Sequence, residues 1–173
     1  MSLVTRAREF AAVAHGDQKR KYSVRPYVTH TQEVAEIVAH AGGDPEMVAA
    51  AHLHDVLEDT AITFEEVRGQ FGAAVADLVL QLTDQVPRSY GSRTARKHAE
   101  ADRLARCDDR AKTVKLADVI SNTRSIEVED PDFARIYLAE MRYLVPRLAG
   151  GSPHLHRRAC KVVGLKRSAW SAL

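Results

Sequence analysis

The chain has 173 residues, 45% hydrophobic and 28% charged, a size and balance that fit one compact soluble domain with its own core and exclude a disordered chain. Its 25 Lys and Arg against 23 Asp and Glu leave a formal charge of +2, too little for a dedicated nucleic-acid-binding surface. No apolar run reaches the ~18 residues of a membrane span, and the start lacks the apolar block of a secretory signal.

Taken in chain order, the sequence predicts helices throughout. Segment 21–28 is expected to be non-helical, because Pro26 and its predecessor resist the helix. The second helix then carries a stripe of Val34, Ile37, Val38 and Ala41 and stops at Gly42-Gly43. Asp44-Pro45-Glu46 opens the next helix, with a capping oxygen before a proline whose missing N–H costs nothing there. Thr63-Phe64-Glu65-Glu66 is a capping box, Gly72 a stop, and Val75, Leu78, Val79 and Leu82 another apolar stripe. Segment 84–91 reads as a loop or mobile flap. Asp130-Pro131-Asp132 starts a helix over 131–148 whose apolar face is Ile136, Leu138, Met141, Leu144, Val145 and Leu148. Gly150-Gly151 ends it and Ser152-Pro153 begins the last helix. The expectation is a single all-α domain of about eight to nine helices spanning 1–173.

Cys107 and Cys160 make no disulfide framework and no metal knuckle, so a cytoplasmic location is expected. Eight histidines are generous for this length. The densest chemical segment is Ala49–Thr60, where His52, His54, Asp55, Glu58 and Asp59 follow three small residues. On a helix His54 and Glu58 share a face, as do Asp55 and Asp59, while the adjacent His54-Asp55 pair could reach one ion off a common edge. A hydrogen-bonded pair at a helix end would also fit the dipeptide. Three carboxylates beside an apolar helix favour a cation, and a mixed nitrogen and oxygen set suits octahedral Mn²⁺, Fe²⁺ or Mg²⁺. His30 could turn inward from the start of the second helix. Lys115, Asp118 and Asn122 fall on one face of a later helix, where an aspartate among Leu, Ala, Val and Ile needs a partner or a ligand.

The order His30, His54-Asp55, Asp118 resembles the HD-domain metal-dependent phosphohydrolases. Phe10–Lys21, then Pro26-Tyr27-Val28-Thr29-His30, then His54–Thr60 resemble the small alarmone hydrolases, single-domain relatives of the hydrolase half of bacterial Rel and SpoT proteins. Phe71-Gly72, Leu82-Thr83-Asp84 and Val114–Asp118 followed by Asn122 and Arg124 fit the same pattern. The resemblance runs from about residue 5 to 148, leaving 149–173 as a basic helical tail.

The resemblance implies an HD-type bundle that binds one Mn²⁺, with Fe²⁺ or Mg²⁺ able to replace it, through His30, His54, Asp55 and Asp118. It implies that Glu58 and Asp59 position or deprotonate the attacking water and help protonate the leaving group. Lys19, Arg20 and Lys21 would meet the nucleotide, Arg20 on the guanine base and Lys21 on phosphate charge. Lys115 and Asn122 match positions near phosphates and ribose, and Tyr137 is the candidate for closing the ribose pocket. The implied reaction removes the 3′-pyrophosphate of guanosine tetra- or pentaphosphate, with no nucleic acid or membrane involved. Alternatives are the same chemistry on another phosphorylated nucleotide or dinucleotide, or a nucleotide sensor without turnover. Tyr22 after the basic run, Arg25 before Pro26, His52 before Leu53 and Val119-Ile120-Ser121 depart from the family pattern, mostly at the nucleotide pocket. His52 is expected to be a core residue or a neighbour of the ligands rather than a ligand itself.

Overall fold

The computed structural model describes residues 1–21 and 24–166. Tyr22, and Arg167 and Trp170 of the basic tail, lie outside the described residues. The fold is all-α: among the described residues there is no strand, only an isolated antiparallel bridge between Lys19 and Pro26. None of the described helices is long and apolar enough to cross a membrane. Nine helices exceed one turn, and a four-residue helix and a 3-10 turn complete the described elements.

The chain forms two compact units, Met1–Thr83 and Asp84–Leu173. The first contains α1 (Leu3–His15), α2 (Val28–His40), α3 (Pro45–Leu53), the single turn α4 (Val56–Asp59), α5 (Phe64–Phe71) and α6 (Ala73–Leu82). Helix α3 is its centre and packs against α1, α2 and α6. Every residue from Met47 to Leu53 is buried, and Ala49, Ala50 and Ala51 let the neighbouring backbones come close. Asp44 caps α3 as expected, its Oδ1 accepting the N–H groups of Glu46 and Met47 at 3.0 and 2.9 Å. The Thr63 capping box of α5 is complete in both directions. The segment expected to be non-helical, 21–28, lies outside the helices among its described residues except for Val28, which opens α2; around it, Arg20 N–H bonds Arg25 O at 3.0 Å and Tyr27 N–H bonds Gln18 O at 2.8 Å.

The second unit contains α7 (Arg93–Leu104), α8 (Asp109–Glu129), α9 (Pro131–Leu144), the 3-10 turn Val145–Leu148 and α10 (Pro153–Val162). The helix expected over 131–148 gives way to a 3-10 turn at Val145, where Pro146 has no N–H to continue the α pattern. Ile136 departs from the expected stripe and is 52% exposed, while Ala134, Met141, Leu144, Val145 and Leu148 form the buried face. Helix α10 is amphipathic, with Leu155, His156, Ala159 and Cys160 buried. Neither cysteine forms a disulfide.

Segment 84–91 is a loop, but its beginning is tied down. The backbone N–H groups of Gln85 and Val86 both donate to Glu100 Oε1, and Arg103 Nε pairs with Glu100 Oε2 at 2.7 Å. Lys97 Nζ lies 2.6 Å from Asp84 Oδ2. Glu100 is thus a buried carboxylate whose two oxygens hold the start of the segment and Arg103 together.

Candidate metal and catalytic site

The run Ala49–Thr60 is not one continuous helix. Helix α3 ends at Leu53, His54 and Asp55 form a turn, and α4 restarts at Val56. Two side-chain and backbone bonds explain the break. His54 Nδ1 bonds the Ala51 carbonyl at 2.8 Å, satisfying an acceptor left at the end of α3. The Asp55 carbonyl accepts the Asp59 N–H at 2.9 Å and begins the new turn. The expected shared faces of a longer helix therefore give way to a corner that presents His54 and Asp55 together.

His30 joins them from the first turn of α2. One ligand atom each from His30, His54 and Asp55 lie within 4.8 Å of one another. His54 Nε2 stands 2.9 Å and His30 Nε2 3.9 Å from the same oxygen, Asp55 Oδ2. The two imidazoles meet edge to face with centroids 5.2 Å apart.

The donor chemistry fits a divalent cation. A carbonyl can only accept, so the Ala51 contact puts the proton of a neutral His54 on Nδ1 and leaves the Nε2 lone pair facing a carboxylate. Two lone pairs at that range repel unless a proton or a cation lies between them. With metal–ligand bonds of about 2.1 Å, adjacent octahedral ligands sit about 3.0 Å apart, close to the 2.9 Å of His54 and Asp55.

Around this cluster the first unit places several of the expected residues. Asp59 is in α4 and exposed overall; partial desolvation raises its carboxyl above the usual range, the Asp55 charge adds to this, and Tyr27 with the His15 and His54 rings opposes it. Glu58 is exposed in the same turn. Arg20 is buried, with Nη2 3.5 Å from His30 Nδ1 and Nη1 3.6 Å from Glu33 Oε2, so its guanidinium is folded inward rather than displayed. Lys19 and Lys21 are exposed. His52 is buried but lies apart from the cluster, in a cleft of about 320 Å³ shared with Arg8, Gln32 and Glu36.

The residue missed from the sequence is Tyr27. Its hydroxyl donates to Asp55 Oδ2 at 2.5 Å, and its ring contacts those of His15 and His30 at centroid distances of 4.8 and 5.7 Å. The signal was a phenol three positions before His30, beside Pro26.

In the second unit Asp118 is buried, 5% exposed, and clamped from both sides. Lys115 Nζ lies 2.9 Å from its Oδ2 and Asn122 Nδ2 donates to its Oδ1 at 2.6 Å, so the three residues do share one face of α8. Tyr137 belongs to the same group. Its hydroxyl pKa is raised, mainly by burial and then by Asp118, while Lys115 and a hydrogen bond with Thr123 oppose this. Desolvation opposes ionisation of Asp84, but Lys115 and Lys97 prevail and hold its carboxyl below the usual range.

A family model described as an HD domain matches residues 7–149. The chain belongs to the HD-domain family. Among relatives of this HD-domain protein, the guanosine-3′,5′-bis(diphosphate) 3′-pyrophosphohydrolase MESH1 of Xenopus tropicalis is 38% identical over 136 residues, covering 76% of this chain and 73% of that one. The enzyme of the same activity name from Aquifex aeolicus is 39% identical over 125 residues, and the match spans 72% of this chain but 18% of that longer protein. A solved structure of a metazoan ortholog of SpoT, described as hydrolysing ppGpp, superposes with a TM-score of 0.83 at 30% identity, covering 94% of each chain.

Proposed function

We propose that this HD-domain protein is a Mn²⁺-dependent hydrolase that removes the 3′-pyrophosphate of guanosine tetra- or pentaphosphate, giving GDP or GTP and pyrophosphate in the cytoplasm. The observation that carries the proposal is the convergence of His30, His54 and Asp55 at a corner built between two helices. The names of relatives that align over most of their length support the substrate. The HD-domain match runs through both compact units, which supports one catalytic domain rather than two independent ones.

His30, His54 and Asp55 would hold the ion, and Asp118 is assigned as the fourth ligand by the family motif. A bound divalent cation supplies a water of lowered pKa and neutralises charge on the phosphoryl oxygens. The chain's own groups do the rest. The Ala51 carbonyl fixes the His54 tautomer so that Nε2 is the ligating atom. Asp59, whose carboxyl gives up its proton less readily than an ordinary aspartate, takes and returns protons at the reacting oxygen, with Glu58 as its partner acid. Lys19, Lys21 and Lys115 offset phosphate charge, and Arg20 offers a planar guanidinium to the base once it turns out from His30. Asn122 and Tyr137 are assigned to the phosphate and ribose side.

A panel of guanosine tetraphosphate, pentaphosphate and other 3′-phosphorylated nucleotides, incubated with Mn²⁺ and separated by ion exchange, tests this. Pyrophosphate release from the tetra- or pentaphosphate is expected. Turnover of another nucleotide alone would replace the substrate, and a bound, intact nucleotide would make the protein a sensor.

A further inference from the structure

We propose that Tyr27 is a positioning residue whose single hydroxyl proton aligns the Asp55 carboxylate for the metal. The proposal rests on the metal-site reading above. Tyr27 donates to Asp55 Oδ2 at 2.5 Å, the same oxygen that faces His54 Nε2 at 2.9 Å and His30 Nε2 at 3.9 Å. A carboxylate on a single rotatable stem could turn either oxygen to the histidines. The phenol selects the one that faces both imidazoles.

The Tyr27 hydroxyl has one proton, and it goes to the Asp55 carboxylate. Its own position is fixed from several sides. The Tyr27 N–H donates to the Gln18 carbonyl at 2.8 Å, and Gln18 Oε1 bonds His15 Nδ1 at 2.8 Å behind the ring. The buried rings of His15 and His30 both pack against the phenol. A group held this firmly can hold another. Phenylalanine preserves those ring contacts and removes only the proton.

The test compares the full chain with Tyr27→Phe and Asp55→Ala. Mn²⁺ binding is measured without substrate from the electron paramagnetic resonance of the free ion, alongside kcat and KM and the circular dichroism of the metal-free proteins. Tyr27→Phe is expected to keep its fold, bind Mn²⁺ ~10–100-fold more weakly and lose kcat at saturating Mn²⁺ with little change in KM. Mn²⁺ affinity within twofold of the unsubstituted chain would overturn the proposal. So would unfolding of Tyr27→Phe, which would make the hydroxyl structural. Unchanged affinity in Asp55→Ala would remove the metal site and Tyr27's role with it. If Mn²⁺ binds as expected and no alarmone is cleaved, the substrate falls while the Tyr27 comparison still stands on affinity.

Discussion

His52 lies two positions before His54 and does different work. It is 6% exposed, its Nδ1 has no hydrogen-bond partner among the described residues, and its pKa is pushed down to about 4, first by burial and then by Arg8 and His54. A histidine with a lower pKa folded than unfolded binds fewer protons when folded. Stability is therefore complete above about pH 6.5 and falls as pH drops toward 4, by about 3 kcal/mol for a shift of this size. Urea unfolding at pH 7.5 and 4.5 should show this drop in the unsubstituted chain and a smaller one in His52→Leu. Equal drops would mean that the imidazole is not the source. Asp59 gives a second prediction at this scale: Asp59→Asn should lower kcat ~10²–10⁴-fold while Mn²⁺ affinity changes only a few-fold, as kinetics and metal titration would read separately. The residue types of this site were legible because His30, His54, Asp55 and Asp59 stand at motif spacing. Tyr27 was not, since a tyrosine beside a proline reads as packing until its hydroxyl is seen on a carboxylate. The inward fold of Arg20 onto His30 and Glu33 was equally hidden, because the basic run gives no sign of which side chain is buried.

Elements were easiest to foresee where backbone chemistry marks their ends. Asp44, Thr63, Asp130 and Ser152 all cap helices with the side-chain bonds their positions suggest. The break between α3 and α4 left no such mark, since no Gly or Pro stands there and the interruption comes with a histidine side chain bonding back to Ala51. Ile136 shows the limit of periodicity: Met141, Leu144, Val145 and Leu148 of the expected face are buried, while Ile136 is exposed and Ala134 is buried in the first turns of α9. The Asp44 cap matters to the site through the helix that carries His54 at its end. Asp44→Ala should cost about 1 kcal/mol in thermal unfolding. Gly151 tests the packing of the second unit. A Cβ there would meet Leu116 Cδ1 at 2.9 Å, the Thr113 backbone nitrogen at 3.0 Å and the Lys112 carbonyl carbon at 3.1 Å. Gly151→Ala should lose roughly 1–3 kcal/mol, a fall of several degrees in Tm, since two of those atoms are helix backbone and cannot step aside.

For the molecule as a whole, near-zero net charge conceals a sorted distribution: acids and histidines converge at the corner of the first unit, and Lys115 and Lys97 gather around Asp118 and Asp84 in the second. Metal binding to the native chain should raise its Tm as Mn²⁺ is added, through about 2.7 kcal/mol of added stability at a hundred times Kd, and Asp55→Ala should lose that rise. Hydrolysis of the 3′-pyrophosphate is read most directly by a product assay on guanosine tetraphosphate with Mn²⁺, resolved by ion exchange. GDP and pyrophosphate are expected in equal amounts, lost on chelation and lost in Asp55→Ala. Guanosine tetraphosphate that stays intact with the Mn²⁺-loaded protein would contradict the proposed hydrolysis.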